Sequence, residues 1–214
     1  PFTESNGTSN MWYSFDVGAA HFVSLDTETD WEGAEEEHTG DSHIPFLRAG
    51  SFGVKGEYLG WLANDLAAAD ASRRNGGPRP WIIAGGHRPF RELHRSHGAL
   101  FARYGVDAYF AGHTHSYLRH EYALSGGGSA KADGGASMLE IVAGGAGCEE
   151  MKQAPRTEAR GHGLPQFATG RYAAGVLTVN RTALHWRLLD SVDGTELDAV
   201  TLTNAWRYYE EGRR

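Results

Sequence analysis

With 214 residues, and 20 Lys and Arg set against 27 Asp and Glu, the chain carries a net charge of -7. That balance argues against nucleic acid as a partner, because phosphate-backbone binders concentrate positive charge. It leaves a small phosphorylated substrate open, since a bound metal can supply local positive charge. The one cysteine, Cys148, excludes an internal disulfide framework and a cysteine-based zinc site. No apolar run reaches the roughly 18 residues of a membrane span.

Residues Met11 to Asp26 read as two strands, MWYSFD and AHFVSLD, joined by a Val17-Gly18-Ala19 turn, because aromatic and β-branched residues alternate with polar ones. The acidic stretch from Asp26 to Asp41 reads as a solvated loop, since it lacks the regular spacing of a calcium loop. Gly56 to Asp70 is expected to be helical, with Leu59, Leu62, Ala63, Leu66 and Ala69 on one face. Trp81-Ile82-Ile83-Ala84 is a short continuous apolar run, as in a strand buried on both faces. A short helix around Gly98 to Tyr104 then leads into a second buried strand, Asp107 to Ala111. Helix, strand, helix, strand is the α/β pattern. Ser125 to Ser137 reads as a glycine-rich surface loop, followed by a strand in MLEIVAG. Three strands close the pattern: YAAGVLTV, ALHWRLLD and ELDAVTLT.

The chemistry-bearing signal is an arrangement that occurs twice: a buried strand, then glycine, then histidine. It stands in WIIAGGHRPF, with His87, and in DAYFAGHTHSY, with His113 and His115. In open α/β sheets sites form beyond the carboxyl ends of the strands, and glycine lets the chain turn there without a Cβ clash. If the chain stays extended at His113-Thr114-His115, both imidazoles share one face. Three imidazoles from two strand ends would make half of a transition-metal site; solvated loop histidines are the competing reading. Arg88, Arg91 and Arg95 stand nearby as cations that could hold a phosphate. Gly144-Gly145-Ala146-Gly147 follows a strand without a helix pattern after it, so a dinucleotide-binding turn is not expected.

Gly86-His87-Arg88-Pro89 resembles the fourth signature block of the purple acid phosphatases, and Gly112-His113-Thr114-His115-Ser116-Tyr117 resembles the fifth. MWYSFDVGAAHFVSLDTETD is similar to the strand pair that follows the family's third block. LEIVAGGAG and GVLTVNRTALHWRLLDSVDGTELDAVTL are similar to its later segments, in the same order.

The resemblance implies an α/β fold in which residues 1–214 are the C-terminal portion of one metallophosphoesterase domain. They would form part of a four-layer α-β-β-α sandwich, with C-terminal antiparallel strands in 172–203. It implies hydrolysis of phosphate monoesters at acid pH by a binuclear centre, Fe(III) with Zn(II), Mn(II) or Fe(II). His87 and His113 would ligate the divalent ion and His115 the ferric ion. The family also places a histidine about ten residues after the fourth-block ligand, which makes His97, with His94 nearby, the candidate for substrate binding or proton donation. Arg88 is a further candidate for substrate binding. A secreted, vacuolar or lysosomal location follows from the family, and Asn6-Gly7-Thr8 and Asn180-Arg181-Thr182 are then glycosylation acceptors.

Two departures qualify the resemblance. Leu118 stands where the fifth block usually carries Glu, so a hydrogen bond from that carboxylate is lost. The first three blocks, Gly-Asp-x-Gly, Gly-Asp-x-x-Tyr and Gly-Asn-His-Glu, do not occur in these residues. They carry the Asp, Tyr and Asn ligands, so the chain is expected to need a preceding segment of its own domain and to be inactive in isolation, with apolar surface and strand edges exposed. The alternatives are a truncated binding module of the same fold, or a phosphodiesterase of the same superfamily.

Overall fold

A hairpin opens the computed structural model, which describes residues 5–7, 11–29, 31, 56–124, 136–145, 147 and 166–203. Strands β1 (Tyr13–Val17) and β2 (Ala20–Ser24) pair antiparallel, with Val17 opposite Ala20. Gly18 takes a positive φ of 55° at the first position of that two-residue turn, where a side chain would be strained. Helix α1 (Glu57–Arg74), strand β3 (Trp81–Gly85), helix α2 (Phe90–Tyr104) and strand β4 (Ala108–Ala111) follow. Then come β5 (Tyr117–Leu124), β6 (Ala136–Ala143), β7 (Phe167–Thr169), β8 (Ala173–Val179), β9 (Ala183–Asp190) and β10 (Glu196–Thr203).

The first seven strands form one mixed sheet in the order β1-β2-β3-β4-β6-β5-β7, and the last three form an antiparallel sheet, β10-β9-β8. Neighbours from β2 through β3 and β4 to β6 run parallel. Strand β3 shows why its sequence is apolar throughout. Ile82 and Ala84 join the core under the helices, while Trp81 and Ile83 join the core under the second sheet. The described residues thus form three layers: helices, the seven-stranded sheet, and the three-stranded sheet.

Strand β9 carries the second interface by strict alternation. Leu184, Trp186 and Leu188 are buried against Trp81, Ile83, Leu139 and Ile141. On the helical side Arg73 is buried and pairs with Asp70 and Asp107, and Asp107 also accepts from the Ile82 amide, fixing α1 to the β3–β4 edge.

Three expectations change. Helix α2 begins at Phe90 rather than near Gly98, because Phe90, Leu93, His97 and Phe101 make one buried stripe. Strands β5 and β7 were not expected. The acidic stretch does not start as a solvated loop: Asp26, Thr27, Thr29 and Trp31 are all buried. Residues 125–135 of the expected glycine-rich loop lie outside the described residues, and Ala136 and Ser137 belong to β6. Cys148 also lies outside them.

Candidate metal centre

His87 leaves the carboxyl end of β3 through Gly85-Gly86, and His113 leaves that of β4 through Gly112. Because β3 and β4 are parallel neighbours, both turns open on the same edge of the sheet. His87 Nε2 and His113 Nδ1 lie 3.2 Å apart, with the rings at 79° to each other. Both side chains are exposed.

The turn from His87 to Phe90 is held by side chains and backbone from three neighbouring strands. The Thr27 hydroxyl oxygen, just after β2, accepts from the amides of both His87 and Arg88 at 3.1 Å. From β4, the Tyr109 hydroxyl donates to the Arg88 carbonyl at 2.6 Å. The Gly112 amide, just beyond that strand, donates to the His87 carbonyl at 3.0 Å. Glu140 of β6 accepts from the Phe90 amide at 2.6 Å, meeting the N-terminus of α2. Burial pushes the Glu140 carboxyl up to about 7. Gly86 is required by this packing, since a Cβ there would overlap the Thr27 methyl group.

The expectation of an extended His-Thr-His is not met. His113 has φ 59°, a conformation that costs most residues energy, and the Thr114 amide bonds back to Gly112 O at 2.6 Å. The Ser116 amide bonds to Thr114 O at 2.7 Å in the same way. Curled like this, the chain does not set His113 and His115 on one face by strand alternation. His115 is half-buried. Among the described residues no group of three or more His, Cys, Asp or Glu is placed to hold an ion, and the approach shown is that of His87 to His113.

Arg88 flanks the pair. Its Nε and Nη2 donate to the two carboxylate oxygens of Glu28 at 2.9 Å each, its Nη1 lies 3.3 Å from His113 Nε2, and Glu92 is 3.6 Å from Nη1. Partial burial first, and then the Arg88 guanidinium, lower the pKa of His113 and favour the neutral imidazole that metal binding needs. The other two candidates are placed differently. His94 is half-buried, with its ring against Phe90. His97 is fully buried, bonded to Tyr58 Oη at 2.8 Å and to Ser96 Oγ at 2.7 Å, with the edge of Trp31 beside it. Burial lowers its pKa to about 4. His97 has no surface with which to meet a substrate; its place is in the core. Asn6 and Asn180 are both exposed, and Asn180 Oδ1 caps the β8–β9 turn by accepting from Thr182 and Ala183 amides.

Does this donor set fit the ions that the resemblance implies? Two imidazole nitrogens on one tetrahedral ion, each at about 2.05 Å, are about 3.3 Å apart; the two nitrogens here are 3.2 Å apart, joined by a hydrogen bond that an ion would replace. Ser116 Oγ, next to His115, is buried without a hydrogen-bond partner among the described residues. The pair therefore fits a divalent transition ion as part of a site. It does not complete one, and ferric iron would need hard oxygen donors besides. The sequence reading missed Thr27, Glu28, Tyr109 and Glu140. For Thr27 and Glu28 a signal was available, since they follow strand β2 just as the histidines follow β3 and β4.

Comparison with known proteins bears on the whole chain. The family described as calcineurin-like phosphoesterase matches residues 4–117, more than half of the sequence. The family described as iron/zinc purple acid phosphatase-like protein C matches residues 137–199. An acid phosphatase of Aspergillus ficuum is 35% identical over an alignment covering 94% of this chain and 39% of that enzyme. The purple acid phosphatase PPD1 from yellow lupin (Lupinus luteus) seeds has a similar fold, with a TM-score of 0.60 at 19% identity over 90% of this chain and 32% of that one. GAP50, the anchor in the inner membrane complex of Plasmodium, shares the fold at a TM-score of 0.56 and 17% identity, over 95% of this chain and 61% of that one. The chain thus spans well under half the length of both phosphatases. The two family matches together with the paired strand-end histidines identify it: this chain belongs to the calcineurin-like phosphoesterases, in the purple acid phosphatase family.

Proposed function

We propose that this chain contributes the histidine side of a binuclear metal centre that hydrolyses phosphate monoesters at acid pH. The observation that carries the reading is the 3.2 Å approach of His87 Nε2 to His113 Nδ1 at the ends of two adjacent parallel strands. His87 and His113 would hold the divalent ion and His115 the ferric ion, with oxygen ligands supplied from outside these residues. When bound, such a pair of ions supplies Lewis acidity and a nucleophile at low pH. Arg88 neutralises phosphoryl oxygens beside the imidazoles. His94, which keeps access to solvent, is the remaining candidate for protonating the leaving alcohol. An extracellular or vacuolar location accords with the exposure of the sequon asparagines Asn6 and Asn180. No described helix is long and apolar enough to cross a membrane.

The test is turnover of a chromogenic phosphate ester together with metal content, on the 214-residue chain and on a longer form carrying its natural upstream sequence. The longer form is expected to turn over, and His87→Ala or His113→Ala to weaken its divalent metal binding by about 100-fold or more. The isolated chain is expected to bind a divalent ion without turnover. A second reading, a binding module that keeps the fold without the chemistry, is favoured by the absence, among the described residues, of a group of three or more candidate ligands. Absence of turnover in the longer form would select it.

A further inference from the structure

The segment after β2 is acidic in sequence but built into the site in the fold. Asp26 is buried, and its Oδ1 accepts from the Glu28 amide at 2.9 Å and the Thr29 amide at 3.1 Å. Its Oδ2 accepts from the Thr29 hydroxyl. Those bonds fix the backbone of Glu28, and Thr27 ties the same stretch to the amides of His87 and Arg88. From that fixed base the Glu28 carboxylate meets Arg88 two-pronged, at 2.9 Å on both oxygens.

An arginine side chain is long and samples many rotamers, but a two-pronged carboxylate sets both the position and the plane of the guanidinium. Here the plane so chosen puts Nη1 at 3.3 Å from His113 Nε2. We propose that Glu28 is a positioning residue that holds Arg88 beside the His87–His113 pair, where the guanidinium receives the oxygens of a phosphate monoester. This rests on the phosphoesterase reading above. A rival role has the opposite sign: if Glu28 only neutralised Arg88, removing its charge would tighten anion binding.

The experiment is calorimetric titration of the full 214-residue chain, first with zinc and then, zinc-loaded, with inorganic phosphate. Glu28→Gln is expected to weaken phosphate binding by about 10-fold while zinc affinity stays within about 3-fold. Glu28→Asp, which keeps the charge but shortens the reach, is expected to lose affinity in the same direction and guards against a misfolded glutamine variant. Arg88→Ala should weaken phosphate at least as much as Glu28→Gln, and adding Glu28→Gln to it should cost nothing more, because Glu28 acts through Arg88. Unchanged or tighter phosphate binding in Glu28→Gln, or an equal further loss in the Arg88→Ala background, overturns the proposal and leaves the phosphoesterase reading standing. Failure of the zinc-treated, unsubstituted chain to bind phosphate overturns this proposal, whereas the phosphoesterase reading stands or falls on turnover by the longer form.

Discussion

The carboxyl ends of β2, β3 and β4 and the three-stranded sheet β8–β10 both abound in polar contacts, but spend them in opposite ways. Against the second sheet, Asp198 takes a two-pronged hydrogen bond from Arg119 and another from Tyr117 Oη, and Tyr117 Oη in turn accepts from Trp186 Nε1 at 3.1 Å. That network joins β5 to β9 and β10 and exposes nothing reactive. At the strand ends, Thr27, Tyr109 and Glu140 satisfy backbone groups so that two imidazoles can stand in solvent. An ion pair by itself therefore does not mark a functional site. What marks one is an exposed ligand-type side chain whose backbone is tied down, as at His87, or held at positive φ, as at His113.

If the division is sound, stability and ligand binding should separate by region. The largest effect is expected at Asp198→Ala, which leaves Arg119 without its carboxylate at a nearly buried site. It should lower unfolding free energy by about 3 kcal/mol in denaturant titration, with zinc binding unchanged. A parallel loss of zinc binding would break the comparison. Gly175→Ala probes the same sheet. A Cβ there would overlap the Trp186 ring, which packs across the strand over the glycine. Overpacking of this kind costs about 2 kcal/mol, again without effect on the imidazole pair.

A third test concerns pH. His97 is neutral in the fold, with its pKa lowered to about 4 by burial, whereas the unfolded chain binds a proton near the ordinary value of 6.5. Above pH 6.5 this group costs nothing; as pH falls from there toward 4 the unfolded state binds the extra proton and stability drops, by about 2 to 3 kcal/mol. His97→Gln should flatten that slope in urea titrations run across the window. His21 has the opposite sign. Burial lowers its pKa, but the carboxylates of Asp65 and Asp16 outweigh burial and raise it. Its stabilisation is therefore present below 6.5 and lost as pH rises through the folded value. The smallest expected effect sharpens the comparison from the site's side. Gly144→Ala would overlap the Thr114 carbonyl, between the two histidines of the curled turn. It should weaken zinc binding by about 10-fold, or about 1.4 kcal/mol, with the β8–β10 contacts intact.

Strand β3 was legible because burial on both faces leaves WIIAG no polar residue, and its Gly-His exit pointed to the metal ligands. The C-terminal strands were legible because β9 alternates strictly. Strand β5 was not, because Arg119, His120 and Glu121 interrupt its apolar residues; pairing with β6 on one side and β7 on the other holds it in the sheet. The position of His97 was also beyond local reading. Its partner Tyr58 comes from a helix 39 residues away, and counting an imidazole as polar hid the buried stripe that starts α2 at Phe90. Glu28 was hidden by composition, since an acidic run looks solvated until Asp26 is seen to be buried beneath it.

The way the His87 turn is anchored has a kinetic consequence. Its amides at His87 and Arg88 donate to a residue after β2, and that at Phe90 donates to a residue of β6. None of them can meet solvent by fraying of the turn alone. Their deuterium exchange should be as slow as that of the central strands, so an exposed metal-binding edge would share the slowest-opening unit of the molecule.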